Sequence, residues 1–362
     1  MKTALLIIAA IVFALGLVMI FSTTSAEILD HDLKNNTDYA LIKQLSYGVL
    51  GAFMGWSAYR IGPEKWISWS PYFLAFLTLL LVLVFIPGIG REVNGSRRWL
   101  GMAGFSIQPS EFVKYISPAY FLYFLRKSPA TTISFFGFLK LAGILAVPLV
   151  LVAIEPNNGT AAVIGLVFAV MCFITSIKFR YWALPLLAAV ILGGAFALHH
   201  PYVKSRLNVY LHPELDLRGK GHQPHQAKIA AGSGGVFGRG PGNSLQKLSY
   251  LPEAQNDYIA AIFAEEYGFM GIFVLIVLYS LLAALGLAMA MQASSFEMTC
   301  YGAVISFLIG FQAFMNLAVV SGLLPSTGLN LPLLSQGGSS MMATLMGIGL
   351  LYSIHERSAR AA

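Results

Sequence analysis

The amino-acid sequence predicts an all-α polytopic membrane protein with ten transmembrane helices. Of its 362 residues, 57% are hydrophobic and only 11% are charged, and the mean hydropathy is +0.71. These values lie outside the range of soluble domains and inside that of proteins that cross a membrane several times. The apolar runs are continuous and about as long as a bilayer is thick, whereas a membrane β-barrel would show short alternating segments. We therefore expect one integral membrane domain over residues 1–362.

The first apolar run, residues 4–21 behind Lys2, has two interpretations. Small residues before Ala26 fit a cleaved signal peptide, but the length of about 18 residues and the many later runs favour a retained helix. The predicted spans are then about 4–21, 44–60, 71–87, 109–126, 135–154, 160–177, 181–199, 257–290, 299–321 and 339–355.

The distribution of basic residues predicts the orientation, because short cytoplasmic loops are enriched in Lys and Arg. An even number of spans puts both termini on one side. That side carries Lys2, Arg60, Lys65, Arg126, Lys127, Lys178, Arg180, Arg357 and Arg360, against Lys34 and Lys43 on the other. Both termini are therefore expected to be cytoplasmic.

Two loops on the predicted outer face break this rule. Residues 88–108 and about 200–256 together hold ten basic residues: Arg91, Arg97, Arg98, Lys204, Arg206, Arg218, Lys220, Lys228, Arg239 and Lys247. Binding of an anionic group explains them, and so does the weaker effect of the rule on long loops. The net charge of +7 fits a phosphorylated lipid or anionic headgroups, and no nucleic-acid partner is expected.

Asp257 is the main candidate for catalysis. It lies at the outer start of the predicted helix 257–290, where the helix dipole and nearby cations favour an ionised carboxylate. Such a group suits a general base that takes a proton from a sugar hydroxyl, or a ligand for Mg²⁺ or Mn²⁺. The alternative is simple capping of the helix by Asn256 or Asp257.

Other charged residues fall inside predicted spans, where they need a partner. Glu265 and Glu266 lie in the span after Asp257, and Lys114 is a candidate partner for them. Glu111 and Lys114 are three residues apart in sequence, so each is also a candidate ion-pair partner for the other. A structural ion pair is favoured over catalysis for this set.

The outer loops offer candidate phosphate ligands and irregular backbone. Arg97 and Arg98 are suited to bidentate contacts with a diphosphate, although rim arginines facing lipid headgroups explain them equally well. The glycine run 232–240 lacks the nucleotide-binding motifs, so no nucleotide is expected, and we interpret it as flexible backbone beside a bulky substrate. The broken stretches 322–328 and 335–340 are typical of backbone that lines a cavity.

These stretches together resemble the SEDS family of bacterial cell-wall polymerases, which includes RodA, FtsW and SpoVE. The motifs run in the family's order over nearly the whole chain: Asn94-Gly95-Ser96-Arg97-Arg98-Trp99-Leu100, Gln108-Pro109-Ser110-Glu111, Glu155-Pro156 with Gly159-Thr160, Gly232-Ser233-Gly234-Gly235, Leu251-Pro252-Glu253-Ala254 with Asp257, Glu265-Glu266 with Gly268, and Gly322-Leu323-Leu324-Pro325 through Gly337-Gly338-Ser339-Ser340.

The resemblance implies a ten-helix glycosyltransferase that polymerises lipid II at the outer face of the bacterial cytoplasmic membrane. It makes Asp257 the essential acidic residue. It also implies a class B penicillin-binding protein, a transpeptidase, as partner, with other membrane proteins of division or elongation. The candidate substrate contacts are Arg97, Arg98, Lys114, Arg239, Glu111 and Ser339.

Within the family, residues 242–248 and 329–335 look closer to the division branch, while 212–214 and 352–355 look closer to the elongation branch; the division branch is favoured. Asn157 departs from the family's frequent Asp, which puts an acid or metal role there in doubt. Gln255-Asn256 and Gln336 also depart. A lipid flippase or transporter is the alternative function, and a recruiting scaffold is a third.

Overall fold

The computed structural model describes residues 1–31, 38–93, 96–102, 105–199, 207–211, 221–248, 251 and 254–361. The basic residues Lys34, Lys204, Arg206, Arg218 and Lys220 lie outside this part of the chain, as do 212–214. The long helices are α1 (Lys2–His31), α2 (Asp38–Ile61), α3 (Pro63–Val84), α4 (Pro109–Lys127), α5 (Phe135–Ile154), α6 (Asn158–Ile174), α7 (Phe179–His199), α8 (His222–Ser233), α9 (Ile259–Met291), α10 (Phe296–Val320) and α11 (Gly338–Ala361).

The prediction of a mainly helical membrane protein is confirmed. Each predicted apolar run falls on one of the helices α1–α7 or α9–α11. Within the described residues, five helices are long and apolar enough to cross a bilayer by length and composition alone: Lys2–Ser25, Pro63–Val84, Phe135–Ile154, Ile259–Met291 and Phe296–Val320. Helix α4 is more polar because it is surrounded by protein, with every residue from Pro109 to Leu122 buried.

The loop 88–108 contains a small sheet, which corrects the all-α prediction. Strands β1 (Gly90–Val93), β2 (Ser96–Met102) and β3 (Phe105–Ile107) pair in antiparallel order β1-β2-β3. The strands have only 4, 7 and 3 residues, too short for a clear alternating pattern. Their backbone groups are satisfied by pairing with neighbouring strands, which a search for long apolar runs does not reveal.

Helices α2 and α11 approach each other closely through glycines. Gly51 and Gly55 are four residues apart on α2, a spacing that puts both on one helix face. A Cβ atom on Gly349 of α11 would lie 2.1 Å from the carbonyl oxygen of Gly55, so no larger residue fits there without movement. This contact holds the second half of α2 against the middle of α11.

The glycine run after α8 packs against α9. Helix α9 is kinked at Gly268, where φ is +67°. The kink leaves the carbonyls of Glu265 and Glu266 free to accept bonds from the backbone N–H groups of Arg239 and Gly240, each at 3.0 Å. Here the glycines allow close backbone packing, which differs from the flexible substrate-facing role predicted from the sequence.

The two chain termini lie at the same end of the helix bundle. At that end, Arg126 at the end of α4 pairs with Glu297 at the start of α10, with a distance of 2.7 Å from Nε to Oε2. Arg357 of α11 donates to the carbonyl of Arg60 at 3.2 Å, and Lys2 lies over the ring of Tyr352. The sheet and the starts of α2, α4, α9 and α11 are arranged at the other end.

Candidate active site

A cavity of about 800 Å³ opens where the sheet meets the helix ends opposite the termini. Its volume is in the range of small-molecule sites. Its charged lining residues are Lys43, Arg91, Arg98, Glu111 and Asp257; its polar and aromatic lining includes Gln44, Tyr47, Trp99, Gln108, Thr160, Gln223, Asn256, Asn316, Ser326, Asn330, Gln336, Ser339 and Ser340. The broken stretches 322–328 and 335–340 both contribute to the wall, as their sequence predicted.

Asp257 is half-buried in the wall of this cavity, directly before α9. The N-cap position of α9 is taken by Tyr258, whose side chain makes no capping hydrogen bond, and Asn256 and Asp257 lie just before it. The segment is held from two sides. The carbonyl of Asp257 accepts a hydrogen bond from Asn316 Nδ2 at 2.8 Å, and the carbonyl of Gln255 accepts one from Gln336 N at 2.9 Å.

The adjacent arginines of β2 face different surroundings, since side chains alternate along a strand. Arg98 lines the cavity and donates from Nε to the carbonyl of Glu155 at 3.0 Å and from Nη2 to the carbonyl of Pro156. These bonds hold its guanidinium at the cavity wall. Arg97 does not line the cavity, and its exposed side chain pairs with Glu92 of β1 at 3.1 Å.

Glu111 and Lys114 pair with each other, which was one of the two predicted alternatives. The distance from Lys114 Nζ to Glu111 Oε2 is 2.9 Å, and the lysine side chain is fully buried. Glu111 lines the cavity, whereas Lys114 lies behind it. The predicted pairing of Lys114 with Glu265 or Glu266 is wrong, because i,i+3 neighbours on α4 satisfy each other first.

Glu265 and Glu266 hold the segment that leads towards Asp257. Glu265 accepts hydrogen bonds from Ser233, Ser244 and the backbone of residues 245 and 246, and Arg239 Nε lies 3.5 Å away. Glu266 pairs with Lys247 at 2.9 Å. The expected structural ion pairs are present with these partners, and Arg239 does not line the cavity.

Two further motif residues connect elements at this end. Ser339, which lines the cavity, accepts a hydrogen bond from Gln108 N at 2.8 Å and so joins the start of α11 to the start of α4. Asn157 is buried behind the cavity and donates to Ser110 Oγ at 3.3 Å.

Glu155 is a buried acid next to this cavity. It is the C-cap residue of α5, is 1% exposed, and neither carboxylate oxygen has a hydrogen-bond partner within the described residues. Arg98 bonds to its carbonyl rather than to its carboxylate. Burial raises the pKa of Glu155 to about 8, and Arg98 opposes this shift. The side chain therefore carries a proton over much of the neutral range.

Several lining residues were not among the predicted site residues, and they include Lys43, Arg91, Gln44 and Asn316. The two cations were noted in the sequence only as part of the charge distribution. Gln44 and Asn316 are amides inside predicted apolar spans, and a polar group there is itself a signal for a functional or packing role.

Comparisons with known proteins agree on one family. The family described as cell cycle protein, which groups FtsW, RodA and SpoVE, matches residues 2–360. A probable peptidoglycan glycosyltransferase FtsW from Legionella pneumophila is 39% identical over 349 residues, covering 94% of this chain and 88% of that protein. The stage V sporulation protein E of Bacillus subtilis is 36% identical over 357 residues, covering 98% and 96%.

Solved structures show the same architecture. A chain from a peptidoglycan synthase complex, described as coordinating polymerization and crosslinking, matches with a TM-score of 0.78 and 25% identity, over 98% of this chain and 97% of that one. The rod shape determining protein RodA of Thermus thermophilus matches with a TM-score of 0.70 and 25% identity, over 97% and 95%. The helices and these relatives together identify a multi-pass integral membrane protein.

Proposed function

Because this chain belongs to the FtsW/RodA/SpoVE family of cell cycle proteins, we propose that it polymerises the glycan strands of peptidoglycan from lipid II. The single observation that carries the proposal is one cavity whose wall brings Asp257 together with the cations Lys43, Arg91 and Arg98. A base for a sugar hydroxyl and cations for a diphosphate are the two groups that this transfer requires.

In the proposed reaction, one lipid II is the donor and a second is the acceptor. Asp257 takes the proton of the acceptor's 4-hydroxyl, and that oxygen forms a bond to the anomeric carbon of the donor with inversion. The bond from this carbon to the diphosphate oxygen breaks, and undecaprenyl diphosphate leaves with the electron pair. Lys43, Arg91 and Arg98 stabilise the charge that develops on it. The donor carries its own leaving group, so the reaction requires no nucleotide.

A divalent cation is a further part of the proposal. Among the residues that the structure describes, no three His, Cys, Asp or Glu side chains form a metal-binding group. Mg²⁺ or Mn²⁺ beside Asp257 would thus take most of its ligands from water and substrate phosphates, which is common for Mg²⁺. When bound, such an ion would add positive charge at the leaving group.

The orientation and the partners complete the proposal. We assign ten membrane crossings to α1–α7 and α9–α11, with both termini cytoplasmic and the cavity and the loop 200–256 extracytoplasmic. The crosslinking partner is a class B penicillin-binding protein. Relatives named FtsW at 35–39% identity favour a role in division, while the RodA structures leave elongation as the alternative role.

The test uses the purified full-length protein with lipid II, with and without the penicillin-binding protein, and measures glycan polymer. We expect polymer from the wild type and a loss of at least about 1,000-fold in Asp257→Asn and Asp257→Ala, since both remove the base. Near-normal polymer from Asp257→Asn would contradict the assignment of the base. Ser326→Ala, a change of a polar lining residue at the same cavity, controls for mild changes in the wall.

The same preparation separates polymerisation from transport. A flippase would move labelled lipid II between leaflets of a vesicle without forming polymer. The position of the charged residues that line the cavity supports polymerisation, because they lie at one end of the bundle. Lys114 is buried and paired with Glu111. Leaflet exchange in the absence of any polymer would favour the transporter.

A further inference from the structure

Asn316 connects Asp257 to the opposite wall of the cavity. It lies in the last turns of α10, is 1% exposed and lines the cavity. Its Nδ2 donates to the carbonyl of Asp257 and to the carbonyl of Leu329, each at 2.8 Å. Both amide hydrogens are therefore used, and they join the start of α9 to the broken stretch after α10.

The amide of Asn316 has only one favourable orientation. If it were flipped, Oδ1 would face two carbonyl oxygens, which repel it, so the hydrogen-bond network fixes the side chain. In this orientation Oδ1 is a buried acceptor without a hydrogen-bond partner in the described part of the chain. A buried acceptor is costly to leave unsatisfied, so a bound group that donates a hydrogen bond is expected there.

Gln44 repeats this arrangement on α2. It is 1% exposed and lines the same cavity; its Nε2 donates to the carbonyl of Ser335 at 3.2 Å. Its Oε1 likewise has no hydrogen-bond partner among the described residues. Two of the residues that line the cavity thus carry a neutral acceptor without a hydrogen-bond partner in the described part of the chain, and these acceptors differ in chemistry from the cations Lys43, Arg91 and Arg98.

The neutral acceptors and the cations fit different parts of the ligand. A neutral amide oxygen accepts hydrogen bonds from hydroxyl or amide N–H groups and cannot bind a phosphate oxygen, which has no proton to donate at neutral pH. The cations bind the phosphate, and the acceptors fit a sugar with free hydroxyls or an acetamido N–H.

We propose that Asn316 is a positioning and specificity residue: its NH₂ group fixes the backbone of Asp257, and its Oδ1, with Gln44 Oε1, accepts hydrogen bonds from the hydroxyl or acetamido N–H groups of the sugar bound beside Asp257. The proposal rests on the proposed function and adds the residues that recognise the sugar.

The test compares Asn316→Asp, Asn316→Ala and Gln44→Met in the lipid II assay over a range of pH. Asn316→Asp keeps an acceptor but loses both donors, so we expect kcat to fall by about tenfold or more with little change in KM. Its new carboxylate disfavours ionisation of Asp257, so the acid limb of the pH–rate profile moves to higher pH. Gln44→Met should raise KM by about tenfold and leave the pH profile unchanged. Asn316→Ala should show both the fall in kcat and the rise in KM.

The matched control is Gln312→Leu, which changes a buried amide one turn earlier on α10 that does not line the cavity. It should leave KM and the pH profile as in the wild type. If the Asn316 variants fail to fold, Gln44→Met still tests the acceptor part, and an unchanged KM would overturn it. If the wild type makes no polymer, the proposed function is wrong. If the wild type is active and Asn316→Asp has a normal kcat and a normal pH profile, only this inference is wrong.

Discussion

Arg97 and Arg98 are neighbours in sequence with opposite surroundings, and this makes them a matched pair. Arg98→Ala removes a guanidinium held at the cavity wall by two backbone carbonyls, so we expect the KM for lipid II to rise about tenfold or more, as for the loss of a charge-assisted contact. Arg97→Ala removes only an exposed ion pair with Glu92, and such pairs contribute about 0–1 kcal/mol. Its KM should change less than about threefold.

Steady-state kinetics on the two variants, with Trp fluorescence or thermal unfolding to check folding, measure this difference. An equal effect of both changes would show that the sheet is needed as a whole and that no phosphate contact is specific to Arg98.

Glu155 gives a prediction on pH dependence. Its pKa is raised from 4.5 to about 8 by burial, so the folded protein holds this proton more tightly than the unfolded chain. The stability that this provides is present below pH 4.5 and is lost as the pH rises towards 8, by up to about 1.4 kcal/mol per pH unit. Glu155→Gln does not titrate, so its melting temperature relative to the wild type should rise between pH 5 and pH 8.5. A constant difference across that range would mean that Glu155 is ionised throughout.

At the residue level, the sequence supplied candidate site residues, but it did not show which of them lie together in the folded protein. Asp257, Arg98, Glu111 and Ser339 share the cavity as lining residues. Three other candidates do not line the cavity, and each forms an ion pair with a nearby acid: Arg97 with Glu92, Lys114 with Glu111, and Arg239 with Glu265. A motif gives a residue's type and approximate location, but strand alternation and competing ion pairs decide its partner.

Among the elements, the glycine segment before α9 makes a sharp test. Gly238 and Gly242 have the same φ of +79°, but a Cβ on Gly238 would lie 2.1 Å from the carbonyl oxygen of Glu266, while a Cβ on Gly242 meets nothing within 4 Å. Gly242→Ala should cost only the backbone strain of about 1–2 kcal/mol. In Gly238→Ala the new Cβ atom would also push the segment away from α9. The melting temperature of this variant, measured by thermal unfolding in detergent, should therefore be several degrees lower than that of Gly242→Ala.

Glycan synthesis by the same two variants tests whether this segment matters for catalysis. The segment continues to Asp257, so Gly238→Ala should reduce polymer formation while Gly242→Ala retains most of it. Equal melting temperatures and equal activity would show that the contact with Glu266 has no energetic role.

Elements marked by long apolar runs were predicted well, and the short strands were not. Helices α4 and α5 begin where their apolar runs begin, at residues 109 and 135. The hairpin of β1 and β2 was missed, although the dipeptide Asn94-Gly95 between them, which lies outside the described residues, is typical of hairpins. Helix α3 starts at Pro63, before the predicted residue 71, because Pro at the first turn favours a helix start.

Across the whole molecule, the hydropathy of a helix reflects how much of it faces lipid more than whether it crosses the membrane. Helix α4 is enclosed by its neighbours and carries Glu111 and Lys114, so its composition is that of a protein core with a polar site. The lipid-facing helices, such as α3 and α9, keep large exposed apolar side chains including Tyr72, Phe269 and Phe273. Burial of α4 allows polar chemistry at membrane depth, since its charges face protein and not hydrocarbon.

The orientation of the whole molecule decides which compartment supplies the cavity, and single cysteines can measure it. The end with both termini carries most of the short-loop basic residues, which predicts a cytoplasmic location for that end. Thr131 is exposed in the loop that joins α4 to α5 at this end, and Glu92 is exposed on the sheet at the cavity end. The natural Cys172 and Cys300 are both buried, so the wild type should react little. In intact cells, a membrane-impermeant maleimide should label Glu92→Cys and spare Thr131→Cys, and permeabilised cells should show both. Labelling of Thr131→Cys alone in intact cells would reverse the orientation and place the cavity on the cytoplasmic side, which would contradict the proposed extracytoplasmic polymerisation.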